Sequence, residues 1–167
     1  MKSKTNRTTG IGLLLAMNLI WVGHGHAAEC KPVHAEIISK PYVTGCMSPV
    51  KLCTAGTIDG NRGLEGTTSF IGDSIVTPGP STAPNSQATI SYSGRLQITT
   101  AKGTLMSLDT GIFDTSTGTP TGGYFASFDV VNGGTLRFAG ATGTFQFIGK
   151  TVNGKFVSYL RGELCIP

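Results

Sequence analysis

Residues 88–100 read "ATISYSGRLQITT", and the run alternates with period two. Ile90, Tyr92, Leu96 and Ile98 fall on one face, while Ser91, Ser93, Arg95 and Gln97 fall on the other. Only an extended chain sorts these residues so cleanly, and it does so in a sheet with one dry and one wet side. The last segment behaves the same way. There Phe156, Leu160 and Leu164 share a face with the small Ser158 and Gly162, opposite Tyr159, Arg161 and Glu163. From Thr54 onward the pattern is short β-type runs separated by Gly-rich turns, without sustained helical periodicity. Strands are expected over 54–59, 63–72, 87–100, 103–113, 122–131, 135–139, 143–151 and 155–164. Asn153-Gly154 suits a tight hairpin, and a second tight turn is expected at Ala101–Gly103. Two bland loops, 77–87 and 114–123, are expected to be mobile connections.

Before Cys30 the chain reads differently. Lys2, Lys4 and Arg7 precede an apolar stretch from Ile11 to Val22, and small residues follow at Gly25, Ala27 and Ala28. That is the layout of a signal peptide, expected over 1–28, and the apolar stretch is short for a membrane span. Glu29 directly before Cys30 argues against lipid modification of that cysteine. Export to a periplasm or to the extracellular space is the expected outcome. The formal charge of +4 includes three leader cations, so the remaining chain carries ten Lys/Arg against nine Asp/Glu and no strongly basic surface. Neither nucleic acid nor, after cleavage, a membrane is therefore an expected partner. All four cysteines lie beyond the leader, and an even number in an exported chain reads as two disulfides. Their spacings do not fit a zinc site, and His34 is the one histidine left to join them.

Residues 132–147, "NGGTLRFAGATGTFQF", pack four glycines among Phe138, Phe145 and Phe147. Glycine permits the bends, bulges and close backbone approaches that a small barrel demands, and the rings fill its interior. Gly133, Gly134, Gly140 and Gly143 are expected to shape those bends. The spacing does not make a phosphate cradle.

The stretch "VVNGGTLRFAGATGTFQFIG" resembles the signature of allene oxide cyclase-like and dirigent-like barrel proteins. That signature is a Val-rich strand, a Gly-Gly-Thr-Gly turn, an aromatic, and an Ala/Gly turn into the next strand. "CTAGTIDG", "SGRLQITTAKGTLMSLDTGIFD" and the closing "GELC" extend the similarity over Cys53 to Cys165. Leu136 departs from it, standing where the family's turn usually has a glycine. The resemblance implies an all-β fold: a closed, antiparallel, up-and-down β-barrel of about eight strands, calycin-like, with an apolar interior. Plant members often assemble as trimers, so a homotrimer is an implied state. Some relatives cyclise or isomerise a lipid epoxide, and others steer the coupling of phenolic radicals. The implied organisation is a signal peptide over 1–28, a disulfide-tied lead-in over 29–52 and the barrel over 53–167. In such a barrel the first strand starts beside the end of the last. With strand one starting at Cys53, the expected pairs are Cys53–Cys165 and Cys30–Cys46.

A nucleophilic triad is disfavoured because His34 falls in the lead-in, outside the expected barrel. Carboxylates, tyrosines and an apolar interior remain. Asp109 alternates away from Met106, Leu108 and Ile112, and Glu65 away from Leu64 and Phe70, so both are expected on the outer face. Asp129 shares a face with Phe125 and Val131 and is also expected outside. Arg137 is expected to be exposed. The ligand-binding candidates are Tyr92, Leu96, Ile98 and Phe128, with Tyr92 the best inward polar group. The leading expectation is a secreted, cofactor-free barrel that binds or orients a small apolar molecule. An isomerase or cyclase acting on a lipid- or polyketide-like substrate is the second, and a non-catalytic exported interaction module the third.

Overall fold

A computed structural model describes residues 29–77, 89–114 and 123–167. The signal-peptide reading and most of the two bland loops lie outside these residues. The described chain forms eight antiparallel strands that close into one barrel in sequence order. They are β1 (Glu29–Pro41), β2 (Cys53–Gly60), β3 (Gly66–Val76), β4 (Thr89–Thr100), β5 (Gly103–Asp114), β6 (Tyr124–Gly134), β7 (Thr142–Val152) and β8 (Lys155–Ile166). The expected all-β, closed, up-and-down barrel is thus what the chain forms. Among the described residues no helix is long and apolar enough to cross a membrane.

The strand count of eight holds, but two of its members change. The stretch expected to be a lead-in, 29–52, supplies β1. Val33, Ala35, Ile37 and Ser39 alternate inward along it, each under 8% exposed, while His34, Glu36 and Lys40 face out. His34 is therefore part of the barrel, on its outer surface. The stretch 135–139, expected as a strand, is instead a single 3-10 turn, Leu136–Phe138, between β6 and β7. Leu136 adopts a positive φ of 51°, far from the extended values of a strand.

Moving the first strand moves the sulfur bridges. β1 closes the barrel against β8, in a register that runs from Glu29 opposite Ile166 to Ser39 opposite Phe156. Cys30 lies directly opposite Cys165 in that ladder, and the two are bonded. Cys46 pairs with Cys53, seven residues on, and no cysteine is free. The expected pairs Cys53–Cys165 and Cys30–Cys46 are thus corrected. The rule that the ends of the first and last strands meet holds, but the first strand begins at Cys30.

The two ends of the barrel differ. At one end the loops 61–65 and 135–141 turn inward and drop Leu64 and Phe138, both 0% exposed, onto Leu105, Val131, Phe145 and Leu164. The 3-10 turn is pinned there by Thr135 N–H to the Thr104 carbonyl at 2.8 Å and Arg137 N–H to the Lys102 carbonyl at 3.2 Å. Arg137 itself is exposed, as expected. These side chains fill the cylinder as a packed core. At the other end the loop 42–52 folds over the rim and is held by Ser48. Its hydroxyl donates to the Gly72 carbonyl at 2.6 Å and accepts from the Val50 and Leu52 amides. The Asn153-Gly154 hairpin turns at this end with φ of 50° and 72°, the pair of positive values a tight primed turn requires.

Candidate functional site

The half of the barrel under the 42–52 loop is hollow. A cavity of about 280 Å³ opens there, walled by residues from all eight strands and by Leu52. Six of its walls are aromatic: Phe70, Tyr92, Phe113, Phe125, Phe147 and Phe156. Phe113, Phe125 and Phe156 form a mutual cluster with centroids 5.8–6.3 Å apart, and Phe70 meets Tyr92 edge-on at 5.9 Å. Glycines on neighbouring strands make room for these rings. Tyr92 lies opposite Gly111, where a Cβ would come within 2.6 Å of its ring, and Phe125 lies opposite Gly149, where a Cβ would come within 2.3 Å. At these two positions a ring lies inside the narrow cylinder because its cross-strand neighbour carries no side chain.

Two carboxyls sit in this interior, and both correct the expectation of outer-face exposure. Asp109 lines the cavity and is 8% exposed; Asp129 is 0% exposed. They stand directly opposite one another in the β5–β6 ladder. The misreading came from β5, whose apolar residues point outward. Met106, Leu108 and Ile112 are 41–50% exposed, while Leu105, Ser107, Asp109 and Gly111 face in. Apolar alternation marks the dry side of a strand only when the other side is wet, and here the other side carries polar groups into an interior. The usable signal was on β6, where Phe125 and Val131 share the face of Asp129.

A short polar network surrounds the pair. Ser107 donates its hydroxyl to Asp129 Oδ2. Ser127, opposite Gly111, is hydrogen-bonded to both Asp109 and Tyr92. One oxygen of each acid, Asp109 Oδ1 and Asp129 Oδ1, has no hydrogen-bonding partner among the described residues. Burial pushes the Asp109 carboxyl up to about 7, with the Ser127 hydrogen bond pulling partly back. Burial first, and then the charge of Asp109, push Asp129 up to about 8, against the Ser107 hydrogen bond. Burial and the charge of Asp109 also raise the Tyr92 phenol. Two like charges face to face in a dry site cannot both ionise cheaply, so the pair holds a proton near neutrality and can exchange it.

The four ligand-binding candidates divide. Tyr92 and Leu96 line the cavity. Ile98 faces inward on the same strand but is 1% exposed within the packed half, below the cavity floor. Phe128 points outward and is 46% exposed. It joins an apolar stripe across the outside of the sheet. Leu108 lies opposite Val130, and the row Ile112, Ala126, Ile148 and Tyr159 crosses four strands in register. Asp109, Asp129, Ser107 and Ser127 are the site residues that sequence reasoning missed. No protein-family model, curated protein or solved structure matches this chain.

Proposed function

We propose that this chain is an exported barrel that binds or orients a small apolar molecule in its half-hollow interior, without a cofactor, and that it is kin to the allene oxide cyclase-like and dirigent-like barrels. The observation that carries the binding reading is the cavity itself: aromatic, blind at one end and, among the described residues, open toward the other. Its volume of about 280 Å³ sits at the lower edge of ordinary ligand pockets, which favours a compact ligand. The closed eight-strand architecture supports the kinship, and the two disulfides suit an oxidising compartment. Thermal unfolding with a panel of fatty-acid oxides, terpenoids and phenolics tests the binding reading. A ligand at 100 times its Kd adds about 2.7 kcal/mol to the folded state and raises the unfolding temperature by several degrees. A panel in which no class shifts the transition refutes it.

Asp109 favours a second reading, an isomerase or cyclase. A carboxyl on the cavity wall that keeps its proton near neutrality can give it to, or take it from, a bound molecule. Turnover of a panel member, lost in Asp109→Asn, is the expected signature.

The outer stripe is a self-association surface in this proposal, and a homotrimer is the form the kinship implies. Exposed rows of this kind rarely stay wet on a monomer. Light scattering is expected to give a mass above that of one chain. Leu108→Lys with Phe128→Lys is expected to return it to the monomer value without loss of the fold. A wild-type monomer at tens of micromolar contradicts this.

A further inference from the structure

We propose that the molecule this cavity selects is a lipophilic amine: a compact apolar skeleton bearing one protonated nitrogen, seated against Asp109 with its hydrocarbon among the rings. The inference rests on the binding reading above and names the ligand class for that same cavity.

Three features of the wall point to a cation. The first is charge. Asp109 lines the cavity with one carboxyl oxygen unpartnered, and Asp129 stands directly behind it with another. Tyr92 is the third titratable group that faces this space, and no Lys, Arg or His is among the described lining residues. The sequences of 78–88 and 115–122 contain no Lys, Arg or His either. Ionising a buried carboxyl without a counter-charge is expensive, and a ligand ammonium offsets that cost while meeting the idle oxygen.

The second feature is the rings. The negative face of an aromatic attracts a cation within about 6 Å of its centroid, and the attraction grows when water is excluded. Phe70 and Tyr92 meet edge-on beside Asp109, and the Phe113, Phe125 and Phe156 cluster stands nearer the mouth.

The third feature is exclusion. A ligand carboxylate would enter a low-dielectric site that already holds two acids, with the hydroxyls of Tyr92 and Ser127 as its donors beside them. Like charge and desolvation both oppose it. A neutral alcohol is accepted but gives the carboxyl no counter-charge.

Binding carries a proton count. The ammonium favours the ionised form of Asp109 while Asp129 keeps its proton, so the molecules whose Asp109 is still protonated at pH 7 release that proton to the buffer, a net release of less than one per ligand.

The test uses three molecules with one skeleton: 4-phenylbutylamine, 4-phenylbutanol and 4-phenylbutyrate. Each is titrated calorimetrically into the folded protein at pH 7. The amine is expected to bind at least about tenfold tighter than the alcohol, and the carboxylate weakest of the three. In Asp109→Asn the amine-to-alcohol ratio is expected to collapse toward one. A second readout needs no variant: the amine's binding enthalpy, repeated in phosphate and in Tris, is expected to differ in the sense of proton release. An alcohol or carboxylate that matches the amine overturns the inference and leaves the cavity reading standing. Absence of amine binding, or an enthalpy independent of buffer, also overturns it, and the apolar panel then decides whether the cavity reading falls with it.

Discussion

Replacing Cys30 and Cys165 together by serine is expected to lower the unfolding free energy by roughly 5 kcal/mol in the chain-entropy account. The bridge spans 135 residues, so in the unfolded chain it ties almost the whole described sequence into one loop. Replacing Cys46 and Cys53, which are seven residues apart, is expected to cost roughly half as much by the same reasoning. The local consequences differ too. Cys30 and Cys165 lie at the seam where β1 and β8 close the cylinder, and without their bridge that seam still has a backbone ladder from Glu29 to Ser39. The first double variant is therefore expected to fold but to melt early. Urea unfolding of the two double variants at one pH decides between them. Equal losses, or a larger loss for the Cys46 and Cys53 variant, contradict the account.

The second large effect is a stability that falls as pH rises. Asp109 and Asp129 have folded values raised above the ordinary carboxyl value of 3.8, to about 7 and about 8. The folded state then holds more protons than the unfolded state throughout the interval between. Stability is greatest at the acidic side of that interval, declines through it, and levels off above about pH 8. This is the opposite of a salt-bridged acid, whose contribution is lost as pH falls. Asp129→Asn removes one of the two ionisations and offers Asp109 an amide donor in place of a rival charge. The variant is expected to match the wild type near pH 4 and to exceed it by roughly 2–4 kcal/mol at pH 9. Urea midpoints at pH 5, 7 and 9 measure both slopes. A wild-type stability that is flat or rising from pH 5 to pH 9 contradicts the buried pair.

Much of the cylinder is legible in the residues. The alternation around Tyr92 and Leu160 carries through to β4 and β8, and the Asn153-Gly154 pair makes the β7–β8 hairpin, whereas the glycines that make room for the cavity rings, Gly111 and Gly149, lie outside 132–147. The failures share a cause. Pro32, Pro41 and two cysteines made the stretch before Cys53 look like a tether, although Val33, Ala35 and Ile37 alternate there as clearly as in β4. Leu136 and Phe138 carry strand-like side chains, but the backbone between them turns with a positive φ that side-chain type does not disclose. The site was the least legible part. Both faces of β5 are apolar in places, and parity then cannot say which face is the interior. Asp109 looked external because its neighbours Leu108 and Ile112 are oily. The pairing of Asp109 with Asp129 puts both acids on one face, and their burial shows that it is the inner one.

The packed floor made by Leu64 and Phe138 has a kinetic consequence. In the proposed binding role, a guest leaves by the end it entered, because the other end is filled. A newcomer cannot push the occupant through from behind, so vacating precedes refilling. Dwell time is then set at the rim, where Leu52 is held in place by Ser48. Crowding by rival molecules changes which one enters next, not how soon the present one leaves.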